Sequence, residues 1–283
     1  MSLRRTMPTL PLLALVALGA RQLAAQDGAE PADGKGEQPP AISEEEFKAL
    51  HELREGAPPA LRGRTVEVAG DRAYLSLPAG AAPPLAGVVV IHEWWGLNDH
   101  VRHWTDRLAA EGYAALAVDL YGGRVATTPD AAHALMKGLD RARALARLRA
   151  AFTFLREDAR VRAPKVASIG WCLGGTWSLE LAMAEPGLAA CVLFYGRVEA
   201  DPERLKAVRA PVCAIFGTRD RSIPEATVAK FERDLALVQV PHEVHRFDAD
   251  HAFANPSGPR YQSEAAAQAW AKARRFLALH LRP

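Results

Sequence analysis

From Thr65 to the end of the chain, apolar strand-like runs alternate with segments of helical periodicity, and this alternation restricts the fold more than any other feature of the sequence. The runs are "TVEVAG", "AYLSLP", "GVVVIHE", "AALAVDLYGG", "KVASIG", "AACVLFYG", "PVCAIFG" and "HEVHRF". The third through seventh are short, rich in β-branched residues and free of in/out alternation, as expected of parallel strands covered on both faces. Helices are predicted between them at Asp99–Ala110 (ended by Gly112), Asp140–Arg156, Leu173–Met183, Pro224–Leu237 and Ser263–His280. The order predicts an α/β architecture: a mostly parallel, doubly wound sheet in a single domain, opened by a hairpin of the first two runs. At 283 residues and 49% hydrophobic content, the chain has enough apolar material for one large core, and it shows no internal repeat.

The region before Thr65 reads differently. Arg4 and Arg5 precede an apolar stretch from Leu10 to Leu18, and small residues end at Ala24 and Ala25, the layout of an export signal over residues 1–25. The apolar stretch is well short of the roughly 20 residues a spanning helix needs, so no stable membrane span is expected. Residues 26–42, rich in proline, glycine and charge, read as a disordered linker. The folded domain is placed at 43–283, beginning with a short amphipathic helix in which Ser43 and Glu46 form a capping box and Gly56 is the stop. The expected protein is exported, periplasmic or secreted, and monomeric. A net charge of +2, without a long basic block, gives no indication of nucleic-acid binding.

In doubly wound sheets, functional groups gather at the carboxyl ends of the strands. The fifth run ends in Gly170-Trp171-Cys172-Leu173-Gly174, a G-x-S-x-G nucleophile elbow with cysteine in place of serine. The glycines are required because strand and helix converge on a tight turn, and a helix amino terminus favours a thiolate. The acid and histidine that such an elbow needs follow in chain order as Asp220, after "AIFG", and His251, after the last run. Asp248 and Asp250 are rival acids, but they stand too near His251 in sequence to meet it head-on. The N–H groups of Leu173 and Trp94 are the expected oxyanion donors. Glu93 ends the third run, where its carboxylate would repel a thiolate; its ordinary reading is a salt bridge with an arginine. Trp171 and Trp177 read as core, and Trp95 and Phe253 as pocket walls. Val125 to Leu139 is long enough to cap the site. Cys191 and Cys213, in apolar strands, read as buried inert thiols.

These motifs resemble the dienelactone hydrolase (carboxymethylenebutenolidase) family of the α/β-hydrolase fold. "HEWWGLN", "DLYGG", "GWCLGG", "GTRD" and "HAFANP" occur in the family's order from about Arg64 onward. The resemblance implies Cys172, Asp220 and His251 as catalytic residues, with Glu93 changing partners as substrate arrives. It also implies hydrolysis of a small-molecule ester or lactone with no metal or organic cofactor, and Arg124 as a binder of substrate carboxylate, shifted by one residue from the family position. The family's further arginine beyond the histidine is missing; Phe253 and Asn255 occupy that stretch, so a less anion-selective pocket is expected.

Two other readings use the same residues. One is a non-catalytic α/β-hydrolase-fold protein that binds a small molecule or partner. The other is a redox sensor at Cys172, its resting thiol kept protonated by Glu93. No histidine pair has metal-site spacing with a carboxylate between its members. His100 and His103 share a helix face that reads as solvated, and no GxGxxG follows the first parallel strand.

Overall fold

A computed structural model of the chain describes residues 60–198 and 201–282. The export signal, the linker and the Ser43 helix lie outside them. The described residues fall within one compact unit. Eight strands form one sheet: β1 (Arg64–Val68), β2 (Asp71–Ser76), β3 (Gly87–Ile91), β4 (Ala114–Val118), β5 (Val166–Trp171), β6 (Ala190–Phe194), β7 (Val212–Gly217) and β8 (His242–Phe247). Their order across the sheet is β1-β2-β4-β3-β5-β6-β7-β8; β1 and β2 form the antiparallel hairpin, β2 also runs antiparallel to β4, and the remaining pairs are parallel.

The missing polar alternation has a plain cause. Val89 and Ile91 of β3 pack on one core and Val88 and Val90 on the other, so successive side chains all meet apolar neighbours. On the first face lie α3 (Arg141–Glu157), α4 (Leu173–Ala184) and α6 (Glu225–Leu237); on the second lie α1 (Asp99–Ala110) and α7 (Ser263–Leu281). Trp104 of α1 stacks on Trp171 of β5 at 4.9 Å and meets Trp270 of α7 at 4.7 Å, joining helix, sheet and helix. Trp171 and Trp177 are core residues, and Cys191 and Cys213 are buried free thiols.

Local chemistry sets the helix boundaries. Asn98 caps α1 by accepting from the N–H of Val101, and Asp140 caps α3 by accepting from that of Arg143, so Asp140 precedes the helix. The segment expected to form a cap contains α2 (Pro129–Lys137), capped by Thr128. A four-residue helix, α5 (Pro202–Leu205), was not expected. His100 and His103 correct the solvated reading: both are buried, at 6% and 4% exposure, because this face of α1 lies over the sheet.

The strand order reverses at β3, which pairs with β4 on one side and β5 on the other. Such a switch point opens a crevice at the carboxyl ends of the strands. Ile91 pairs in register with Gly170, Trp171 with Phe194, and Gly217 with Phe247. The residues that follow these positions share one edge of the sheet.

Candidate active site

The turn from β5 into α4 holds Cys172 at φ 52°, ψ −115°, a conformation L-residues rarely adopt. Only glycine fits on either side. A Cβ at Gly170 would lie 2.1 Å from the carbonyl oxygen of Gly174, and one at Gly174 would lie 2.1 Å from that of Ile91. The start of α4 therefore rests directly on the end of β3, which sets the Leu173 amide beside the loop carrying Glu93 and Trp94. Neither the Leu173 nor the Trp94 N–H has a hydrogen-bond acceptor among the described residues.

His251 brings Nε2 to 3.3 Å from Cys172 Sγ, while its Nδ1 lies 2.6 Å from Asp220 Oδ2. The other Asp220 oxygen accepts from the N–H groups of Ser222 (2.7 Å) and Ile223 (3.0 Å), so the carboxylate is aimed by its own loop. Asp220 is buried and His251 is 14% exposed at its side chain. Burial alone would lower the His251 pKa, but the bonds to Asp220 and Cys172 outweigh it and push it up to about 10. The rival acids point elsewhere: Arg219 holds Asp248 at 2.7 Å and lies 3.6 Å from Asp250.

Glu93 is buried and makes no salt bridge to arginine or lysine among the described residues. Its Oε2 accepts from Asn255 Nδ2 at 2.5 Å and lies 4.0 Å from His100 Nε2; its Oε1 has no hydrogen-bond partner among the described residues. Burial pushes Glu93 up from 4.5 to about 7, with the nearby His251 and the Asn255 hydrogen bond opposing a further rise. The Tyr195 hydroxyl is near enough to feel the carboxyl but closes no well-formed hydrogen bond with it. The backbone beneath is pinned by His92. The Leu120 N–H donates to its Nε2, which leaves Nδ1 to donate to the Glu93 carbonyl.

The raised Glu93 value has a consequence for stability. A carboxyl with its pKa raised on folding contributes stability that is complete below the unfolded value near 4.5 and is lost as pH rises through about 7. At about 1.4 kcal/mol per unit, the loss is of order 3 kcal/mol. Buried His92 and His103, whose pKa values are lowered by burial, act in the opposite sense, so the comparison must be between proteins. Relative to the parent, Glu93→Gln is expected to gain about 3 kcal/mol between pH 4.5 and 8, measured from urea unfolding midpoints.

One of the three expected substrate contacts is placed elsewhere. Phe253 is a correction: it has no exposed surface and packs on Tyr195 (5.6 Å) and Phe247 (5.7 Å), so it supports the site from within the core. Arg124 donates from Nε to the carbonyl of Tyr121 in its own turn. With Tyr121, Arg143 and Arg147 it lines a surface cleft of about 350 Å³ whose lining excludes Cys172. Trp95 is half-buried and meets Trp94 edge-on at 5.0 Å. Three neighbours escaped the sequence reading. Asn255 reads in the sequence only as an uncharged residue in the stretch after His251. Tyr195 follows β6 as Cys172 follows β5, and its strand-end place was the available signal. Tyr121 has a buried hydroxyl, without a partner among the described residues, that lies near Cys172.

Comparison with known proteins gives a consistent result. Residues 72–281 match the sequence profile described as the dienelactone hydrolase family. A Synechocystis protein named "Putative carboxymethylenebutenolidase" is 32% identical over 237 residues, covering 77% of this chain and 94% of the relative. The crystal structure of P91, a dienelactone hydrolase-like promiscuous phosphotriesterase from metagenomic libraries, is similar at TM-score 0.71 and 28% identity, covering 77% of this chain and 98% of P91. The dienelactone hydrolase of Anabaena variabilis shares the fold at TM-score 0.58 and 23% identity, covering 78% of this chain and 97% of that one.

Proposed function

The chain belongs to the dienelactone hydrolase family, and from that premise we propose that it hydrolyses small esters or lactones through an acyl-enzyme on Cys172. One observation carries the reading: a sulfur 3.3 Å from an imidazole whose far nitrogen is held 2.6 Å from a buried carboxylate. His251 Nε2 takes the thiol proton as Sγ attacks the carbonyl carbon. The N–H groups of Leu173 and Trp94 receive the oxyanion, and the alcohol departs with the proton from Nε2. In a lactone that alcohol stays tethered to the acyl group. Water then gives a proton to Nε2 and attacks the thioester; collapse releases the acid and returns the sulfur. Asp220 keeps the imidazole in the tautomer and orientation both halves require. Glu93 acts on this cycle by its charge and by exchanging partners when substrate enters. The amino-terminal signal would carry the enzyme out of the cytoplasm.

The test is turnover of a panel of nitrophenyl esters, small lactones and, given the likeness to P91, an aryl phosphotriester. Hydrolysis of at least one ester or lactone is expected. Saturable binding across the panel with no turnover would favour the non-catalytic binder instead.

A further inference from the structure

The peptide that carries the Trp94 amide is held by its other end. It is trans, so its N–H and the Glu93 backbone carbonyl point in opposite directions. That carbonyl accepts twice, from Nδ1 of His92 at 2.5 Å and from the N–H of Gly96 at 3.2 Å. The two bonds fix the carbonyl on one side of the loop and turn the Trp94 N–H to the other, where it has no acceptor among the described residues.

The partners of His92 leave its ring one arrangement. It has no exposed surface, and its Nε2 lies 3.1 Å from the Leu120 N–H, a group that can only donate. Nε2 must therefore be the bare nitrogen and Nδ1 the protonated one. Burial lowers the His92 pKa, in keeping with a neutral ring. The turn after β4 aims the Leu120 amide: the buried Asp119 carboxylate accepts from the N–H groups of Tyr121 (2.8 Å) and Gly123, and the Tyr121 ring packs on that of His92 at 4.8 Å. The same stretch braces the loop at a second point, where the Ala126 N–H donates to the Trp95 carbonyl at 2.8 Å.

We propose that His92 is a positioning residue whose Nδ1–H, locked in one tautomer by the turn after β4, aims the Trp94 N–H at the oxyanion of the reacting carbonyl. It acts through the Glu93–Trp94 peptide and not on the substrate. The bond also polarises that peptide, since a carbonyl that accepts makes its own N–H a stronger donor. The oxyanion donor is thus set by two ring nitrogens that link the ends of β3 and β4.

The inference rests on the hydrolase reading, and its test separates the two. Attack on an ester builds an oxyanion, whereas alkylation of Cys172 by iodoacetamide, at a saturated carbon, builds none. In His92→Leu, kcat for a nitrophenyl ester is expected to fall about 100-fold with KM changed by less than about threefold, while the alkylation rate stays within about twofold of the parent. His92→Asn keeps an N–H donor near the place of Nδ1 and is expected to recover most of the lost kcat. A merely structural role would move both rates together. In the parent, NMR of the full chain labelled with ¹⁵N-histidine is expected to show a protonated Nδ1 and a bare Nε2 for His92, identified by its contact with the Tyr121 ring. An unchanged kcat in a folded His92→Leu protein, an equal fall of turnover and alkylation, or a protonated Nε2 in the parent overturns the proposal. The tautomer decides the matter if the variants do not fold. A parent with the expected tautomer that hydrolyses no ester or lactone fails the hydrolase reading itself.

Discussion

Cys172→Ala is expected to reduce hydrolysis of an activated aryl ester by about 10⁴-fold or more while leaving the fold intact, because it removes the sulfur that the proposed mechanism acylates. The variant keeps a Cβ on the same strained turn, so the contacts of Gly170 and Gly174 are unchanged and stability should stay within about 0.5 kcal/mol of the parent. His251→Ala should fall by a similar factor, and the double variant little further, since sulfur and imidazole act as one unit. Steady-state kinetics with thermal unfolding as the control decides the matter. Substantial turnover in a folded Cys172→Ala protein would remove the nucleophile from the account.

The second large effect is on packing. Gly174→Ala inserts a methyl 2.1 Å from the carbonyl oxygen of Ile91 and 2.7 Å from that of His92. Both obstacles are backbone, so relief requires α4 to move off β3. A cost of about 3 kcal/mol is expected, and more if the helix cannot tilt. Any tilt also shifts the Leu173 amide against the Trp94 loop, and a displacement near 1 Å costs about 100-fold in rate. Urea unfolding with kcat/KM on the same preparation tests both halves. Parent-like stability together with parent-like activity would mean that helix and strand do not meet as described.

The alternation of runs and helices was legible because buried parallel strands carry a strong local signature: Val88 through Ile91 are apolar whichever face they point to. The positions of Cys172, Asp220 and His251 were legible for a related reason, since each stands just past such a run. What the sequence withheld depends on backbone direction and tertiary cover. Phe253 stands two residues from His251, yet Ala252 adopts φ 63° and turns the chain, sending Phe253 into the core. His100 and His103 look solvated beside Asp99 and Arg102, and only the position of α1 over the sheet buries them. Asn255 reads as the loss of a charge; its bond to Glu93 links loops far apart in the chain and has no local signal. The helix Pro129–Lys137 has a plain one, Thr128 followed by Pro129 and Asp130, within a segment read simply as a cap.

The central claim is that the acyl group passes through Cys172, and intact-mass spectrometry during turnover of a slowly hydrolysed aryl ester or lactone tests it most directly. The account predicts a transient mass increase equal to one acyl group, mapped by peptide digestion to the segment containing Cys172 and absent in Cys172→Ala. Hydrolysis that proceeds at the parent rate in Cys172→Ala, with no adduct on the parent at any time point, would contradict it.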